Sequence, residues 1–139
     1  MRRIRFVIPG KPAGKGRPRF YGGHAVTPEN TREYEKMTAM LFMASARGER
    51  FTDKAPVKVS VEACYRIPAR ATKAQKEKIA SGELMPCMKP DADNIAKIIL
   101  DSLNKVAWDD DAQVVQLSVC KRYSAEPCVI VEISEIIKE

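Results

Sequence analysis

The chain has 139 residues, is 45% hydrophobic and carries a formal net charge of +6. That is enough apolar material for one core, so a single domain spanning 1–139 is expected. No stretch approaches the roughly 20 apolar residues of a membrane span, and the apolar run in MRRIRFVIPG is too short for a signal sequence, so a soluble, cytoplasmic protein with no membrane contact is expected.

In chain order, RRIRFVIPG alternates Ile4, Phe6 and Ile8 against Arg3, Arg5 and Val7, the period of a half-buried strand closed by Pro9 and Gly10. GKPAGKGRPRFYGG, residues 10–23, is too rich in glycine and proline for a helix or a central strand and reads as a loop. The following segment offers caps at Thr27 and Asn30 and apolar Tyr34, Met37, Leu41 and Ala44 at helical spacing, with Gly48 as a stop. Next, Val57, Val59, Val61, Ala63 and Tyr65 alternate with Lys58, Ser60, Glu62, Cys64 and Arg66 as a second strand. TKAQKEKIASG reads as a short polar helix between Thr72 and Gly82. Beyond Asp93, Ile95, Ile98, Ile99, Leu103 and Val106 recur at three and four, the stripe of an amphipathic helix. QVVQLSVCKRY and CVIVEISEI are two further strands, separated by a turn at 124–127. The order of elements predicts an α+β fold, a mixed four-stranded sheet packed against helices.

Four cysteines, Cys64, Cys87, Cys120 and Cys128, form no CxxC pair, and the single histidine, His24, is remote from them in sequence, which argues against zinc. Cys64, Cys120 and Cys128 fall in strand-like runs and are expected to act as small apolar fillers.

Charge is unevenly distributed. Cations crowd the first twenty residues, whereas Asp91, Asp93, Asp101, Asp109, Asp110 and Asp111 crowd a short segment of an otherwise basic chain. One aspartate at a helix start caps orphan N–H groups, but Asp91 and Asp93 cannot both be the cap. An EF-hand loop is excluded because Ile95 and Ala96 occupy the fifth and sixth positions, where an oxygen ligand and the glycine would be. Asp93, Lys97 and Asp101 share a helix face at spacing four, which fits a surface ion-pair ladder; the other reading is that Asp91 and Asp93 hold a hard cation such as Mg2+ through oxygen ligands, with Lys97 close by to meet a phosphate or an attacking water. Asp109, Asp110 and Asp111 fit either a polar turn, with Trp108 anchored in the core, or further carboxylates gathered around a divalent cation. Lys11, Lys15, Arg17 and Arg19, with Phe20 and Tyr21 beside them, make the 10–23 loop a candidate DNA clamp, although it lacks the spacing of a phosphate-binding P-loop.

KPDADNIAKIILDSLN, DDDAQVV and VIPGKPAGKGRPR together resemble the RusA family of Holliday junction resolvases, including its phage and prophage members. The resemblance implies a homodimeric, Mg2+-dependent endonuclease of DNA recombination and repair that cuts four-way DNA junctions by paired, symmetric nicks. It places the family's Asp-x-Asp-Asn signature on Asp91, Asp93 and Asn94 and its essential lysine on Lys97. The third catalytic aspartate falls on Asp111, with Asp110 the neighbouring alternative, and Asp91, Asp93 and Asp111 become the expected metal ligands. A helix over about 94–106 is about 20 Å long, and the residues up to Asp110 return at most ~13 Å. Asp111 therefore reaches Asp93 either within one chain or across a dimer. The rival readings are a metal-dependent nuclease for flap or other branched DNA, and a non-catalytic DNA-binding protein.

Overall fold

Strict alternation of apolar and polar residues builds the sheet. The structure, a computed structural model, describes residues 2–15, 19–21, 24–26 and 29–137. Its elements are β1 (Arg3–Pro9), β2 (Arg19–Tyr21), β3 (His24–Val26), α1 (Glu29–Ala46), β4 (Val57–Arg66), α2 (Lys73–Ser81), α3 (Ala92–Leu103), a single 3-10 turn (Asp111–Gln113), β5 (Val114–Ser124) and β6 (Cys128–Glu135). The main sheet has the order β1-β6-β4-β5, with β6 antiparallel to both neighbours and β4 parallel to β5. A parallel pair needs a crossover, here the stretch holding α2 and α3. The α+β fold with a mixed four-stranded sheet is thus the one the sequence suggests.

One face of the sheet is dry. Ile4, Phe6 and Ile8 of β1, Val129, Val131 and Ile133 of β6, and Val57, Val59, Val61, Ala63 and Tyr65 of β4 form one core with Ile95, Ile98, Ile99 and Leu103 of α3 and Phe42 of α1. Phe6 meets Phe42 edge-on, with ring centroids 6.1 Å apart, an arrangement favoured by the ring quadrupoles. The other face carries ion pairs, Arg3 with Glu132 at 3.0 Å and Arg122 with Glu62 at 3.2 Å. Its Cys64 is nevertheless buried, whereas Cys120 is exposed and Cys128 intermediate, so filler is the wrong description for Cys120.

Two local expectations change. Residues 10–23 are not all loop, because β2 pairs with β3 as an antiparallel ribbon; Phe20 and Tyr21 favour strand, and the Gly22-Gly23 pair between the strands is a hairpin signal in the sequence. On α1 the buried residues are Thr31, Thr38, Phe42 and Ala46, while Ala44 is exposed. Thr38 tolerates burial because its hydroxyl donates to the Tyr34 carbonyl at 2.8 Å, leaving only its methyl to be packed.

Helix α2 is held locally. Thr72 and Gln75 form a capping box, and Gly82 closes the helix in the left-handed conformation at φ +83°, but no residue of α2 is buried. Among the described residues no helix is long and apolar enough to cross a membrane.

Candidate active site

Helix α3 sorts its residues by face. Ile95, Ile98, Ile99, Ser102 and Leu103 turn to the core, which leaves Asp93, Ala96, Lys97, Leu100 and Asp101 along the opposite side, as a 3.6-residue period requires. That side forms one wall of a cavity of about 510 Å3, completed by Ala92, by Asp111, and by Leu117 and Val119 of β5. Asp93 and Asp111, distant in sequence, therefore face one cavity within a single chain, together with Lys97 and Asp101.

The return from α3 to Asp111 is organised by polar residues inside the protein. Buried Gln113 accepts from the backbone N–H groups of Asp109 at 2.8 Å and Asp110 at 3.1 Å, and its amide donates to the carbonyls of Phe51 and Ala55, both at 3.0 Å. Every hydrogen-bonding direction of this side chain is thus used, which removes the cost of burying it. From the far side Arg50 donates to the carbonyls of Val106 at 2.9 Å, Lys105 at 3.2 Å and Trp108 at 3.3 Å, and pairs with the Asp109 carboxylate at 3.2 Å. Trp108 is fully buried, and its indole N–H donates to Oδ1 of Asp111 at 2.8 Å.

The three consecutive aspartates consequently have different surroundings. Asp109 faces Arg50. Asp110 caps the 3-10 turn, accepting from the N–H of Ala112 at 2.9 Å. Asp111 alone of the three lines the cavity.

At the other end, Asp91 is the N-cap residue of α3, yet its side chain makes no capping hydrogen bond. Its carboxylate instead meets the exposed ammonium of Lys89 at 3.0 Å, and it is not part of the cavity wall. The loop leading to it is pinned twice: the Tyr65 hydroxyl donates to the Pro90 carbonyl at 3.3 Å, and Lys121 donates to the Met88 carbonyl at 2.8 Å while lying over the Tyr65 ring. Burial, with the negative charge of Asp91 added, pushes the Tyr65 phenol above its ordinary pKa. Lys97 is mostly exposed, 3.8 Å from Oδ2 of Asp101.

Of the expected DNA contacts, Lys11 is exposed. Lys15 is turned inward, with only 18% of its side chain accessible, onto Glu35 at 3.2 Å and Asp101 at 3.1 Å. Arg17 and the side chain of Arg19 lie outside the described residues. Sequence reasoning did not single out Gln113, Arg50 or Asp101 for the site. For Gln113 a signal exists, a polar residue directly before a strand-like run; for Arg50 there is none, because its partners lie 55 to 59 positions away.

The donor chemistry of the cavity suits a hard divalent cation. Its carboxylates offer oxygen ligands, and the uncapped Asp91 is held only by an exposed ion pair. Among the described residues no three acidic, histidine or cysteine side chains are gathered closely enough to hold an ion by themselves; Asp93 and Asp111 are carboxylates that share the cavity wall, and Mg2+ keeps several waters in its sites.

A net-basic α+β protein with an acidic, lysine-flanked cleft beside its sheet is built like a small nuclease. The family model for Endodeoxyribonuclease RusA matches residues 9–134, and the chain belongs to that family. It is also similar to a protein of Bacillus subtilis (strain 168) named "Uncharacterized protein YqaN", 36% identical over 139 residues and aligned over 96% of each chain; that name carries no activity.

Proposed function

We propose that this chain is a divalent-metal-dependent endodeoxyribonuclease that resolves four-way DNA junctions by paired nicks, acting as a homodimer in DNA recombination and repair in the cytoplasm. The observation that carries the reading is the cavity in which Asp93, Lys97 and Asp111, from two separate stretches of a family endodeoxyribonuclease, face one another.

Asp93 and Asp111 would hold Mg2+, joined by Asp91 once its carboxylate leaves Lys89. When bound, such an ion supplies an activated water and polarises the scissile phosphate. Lys97 places an ammonium one helical turn from Asp93, where it can stabilise charge developing on phosphate oxygens. Trp108 holds Oδ1 of Asp111, which leaves Oδ2 free of that bond for a metal ion. Leu117 and Val119 of β5 form the apolar side of the cavity. A two-fold dimer would present matching cavities to the two strands cut in a near-symmetric junction, and Lys11, with Arg17 and Arg19, would track the phosphates.

The test is incubation of the protein with Mg2+ and a labelled four-way junction, read on a denaturing gel, with flap and linear duplex DNA as competitors. Symmetric nicks in the junction are expected, with cutting abolished and junction binding kept in Asp93→Asn. Preferential cutting of flaps would move the substrate assignment, and a fully active Asp93→Asn protein would remove the mechanism.

A further inference from the structure

Lys15 does not behave as a residue waiting for a phosphate. Its backbone N–H donates to the Asn94 carbonyl at 3.1 Å, and the glycine before it lies so close to α3 that a Cβ there would stand 2.7 Å from Cβ of Pro90 and 3.1 Å from Cβ of Asn94. The strap around 14–15 is thus seated on the residues that carry Asp91 and Asp93. From it the Lys15 side chain reaches both oxygens of Glu35 on α1 and Oδ2 of Asp101 on α3. A phosphate would have to displace two carboxylates from an ammonium that is mostly buried.

The same Oδ2 of Asp101 lies 3.8 Å from the ammonium of Lys97. Asp101 shares the cavity with Asp93 and Asp111. If Lys15 were absent, the cation left beside Asp101 among the described residues would be Lys97, one turn away on the same helix, a spacing at which such pairs form readily. Any cation held at Asp93 and Asp111 would feel the uncompensated charge as well.

We propose that Lys15 is a positioning residue of the cleft and not a DNA contact: anchored on Glu35, it serves as a counterion of Asp101, and it keeps that carboxylate from drawing Lys97 or the metal away from Asp93 and Asp111. This rests on the nuclease reading for its consequence in cutting, though not for its electrostatics. Burial opposes the charge on Lys15, but the hydrogen bonds and charges of Asp101 and Glu35 outweigh it and hold the ammonium above the ordinary lysine range, so Lys15 remains a cation throughout the working pH range.

The test compares the full-length protein with Lys15→Gln, Lys15→Arg, Lys11→Gln and the double variant Lys15→Gln/Asp101→Asn. Calorimetric titration with Mn2+ in the absence of DNA should show Lys15→Gln binding the ion about fivefold more tightly, as expected for one added negative charge near the site, while the double variant and Lys15→Arg return to the wild-type value. Cutting should fall in Lys15→Gln at saturating metal and recover when Asp101→Asn is added. Junction binding in EDTA, followed against salt, should keep its slope in Lys15→Gln, whereas Lys11→Gln should lose about 0.9, one phosphate contact. A Lys15→Gln protein that loses that slope, or whose metal affinity does not change, overturns the assignment, as does a failure of Asp101→Asn to reverse the effects. A wild-type protein that cuts no DNA would sink the nuclease reading and leave the metal and salt measurements to judge Lys15 alone.

Discussion

Replacing Asp111 by alanine and, separately, by asparagine divides its structural task from its chemical one. The Trp108 indole N–H is buried and has the Asp111 carboxylate as its acceptor at 2.8 Å. Alanine removes the acceptor and leaves a donor inside the protein without a partner, whereas asparagine keeps an oxygen at the same place and removes only the charge. A partly buried bond of this kind contributes about 1 to 2 kcal/mol, and orphaning the donor adds desolvation within the same range. Asp111→Ala should therefore lose about 2 kcal/mol, or ~7 °C in melting temperature for a chain of this size, and Asp111→Asn less than about 1 kcal/mol. Urea unfolding can be followed by the fluorescence of Trp108, the only tryptophan in the chain. In a Mg2+ cutting assay both variants should be inactive. Equal stability of wild type and Asp111→Ala would refute the idea that Trp108 aims this carboxylate, and full cutting by Asp111→Asn would refute its chemical role.

Further expectations concern other parts of the fold. Gly14→Ala forces a Cβ against Pro90 and Asn94, so it should cost about 1 to 3 kcal/mol and speed amide exchange at 13–15; unchanged exchange there would contradict the seated strap. Thr72→Ala breaks the capping box of a helix with no buried side chain; exchange across 73–81 should accelerate while the global unfolding free energy in urea changes by less than about 0.5 kcal/mol, and a large global shift would show that α2 is tied to the core. Burial, reinforced by Cys128, pushes the Cys64 thiol from 9.0 up to about 11. Between those values the native thiol keeps a proton that the unfolded one has lost, so its contribution is complete below pH 9 and disappears as pH rises to about 11. Urea midpoints measured from pH 8 to 11 should decline less in Cys64→Ala, and at pH 8 exposed Cys87 and Cys120 should react with a thiol reagent before Cys64.

The sheet was legible because its strands alternate cleanly: Val57 to Tyr65 and Ile4 to Ile8 declare one buried face without ambiguity. Helix α3 was legible because Ile95, Ile98, Ile99 and Leu103 leave Asp93, Lys97 and Asp101 on the remaining side. The buried face of α1 was legible in part: Tyr34, Met37 and Leu41 do pack against the core, but Ala44 is exposed and Thr31 and Thr38 are buried, and the internal hydrogen bond that admits Thr38 has no signature in the sequence. Chain arithmetic left open whether Asp111 could reach the cavity of its own α3; the bonds made by Gln113 and Arg50 turn the connection back, and long-range pairings of that kind have no local signature. Lys15 shows the same limit in reverse. In sequence it is one cation among four in a glycine-rich run, and only the arrival of Glu35 and Asp101 from two helices distinguishes it from Lys11.

Strand β6 lies between β1 and β4, although every cleft residue precedes it in the chain. When Asp111 and Val119 have been synthesised, β4 and β5 can associate, but β1 still lacks the neighbour that joins it to the rest. The wall on which α1 and α3 rest is finished only when residues 128–135 emerge. The polypeptide therefore carries every acidic side chain of the cleft, and the bonds of Gln113, Arg50 and Trp108 that turn Asp111 towards it, before the sheet beneath α1 and α3 is complete.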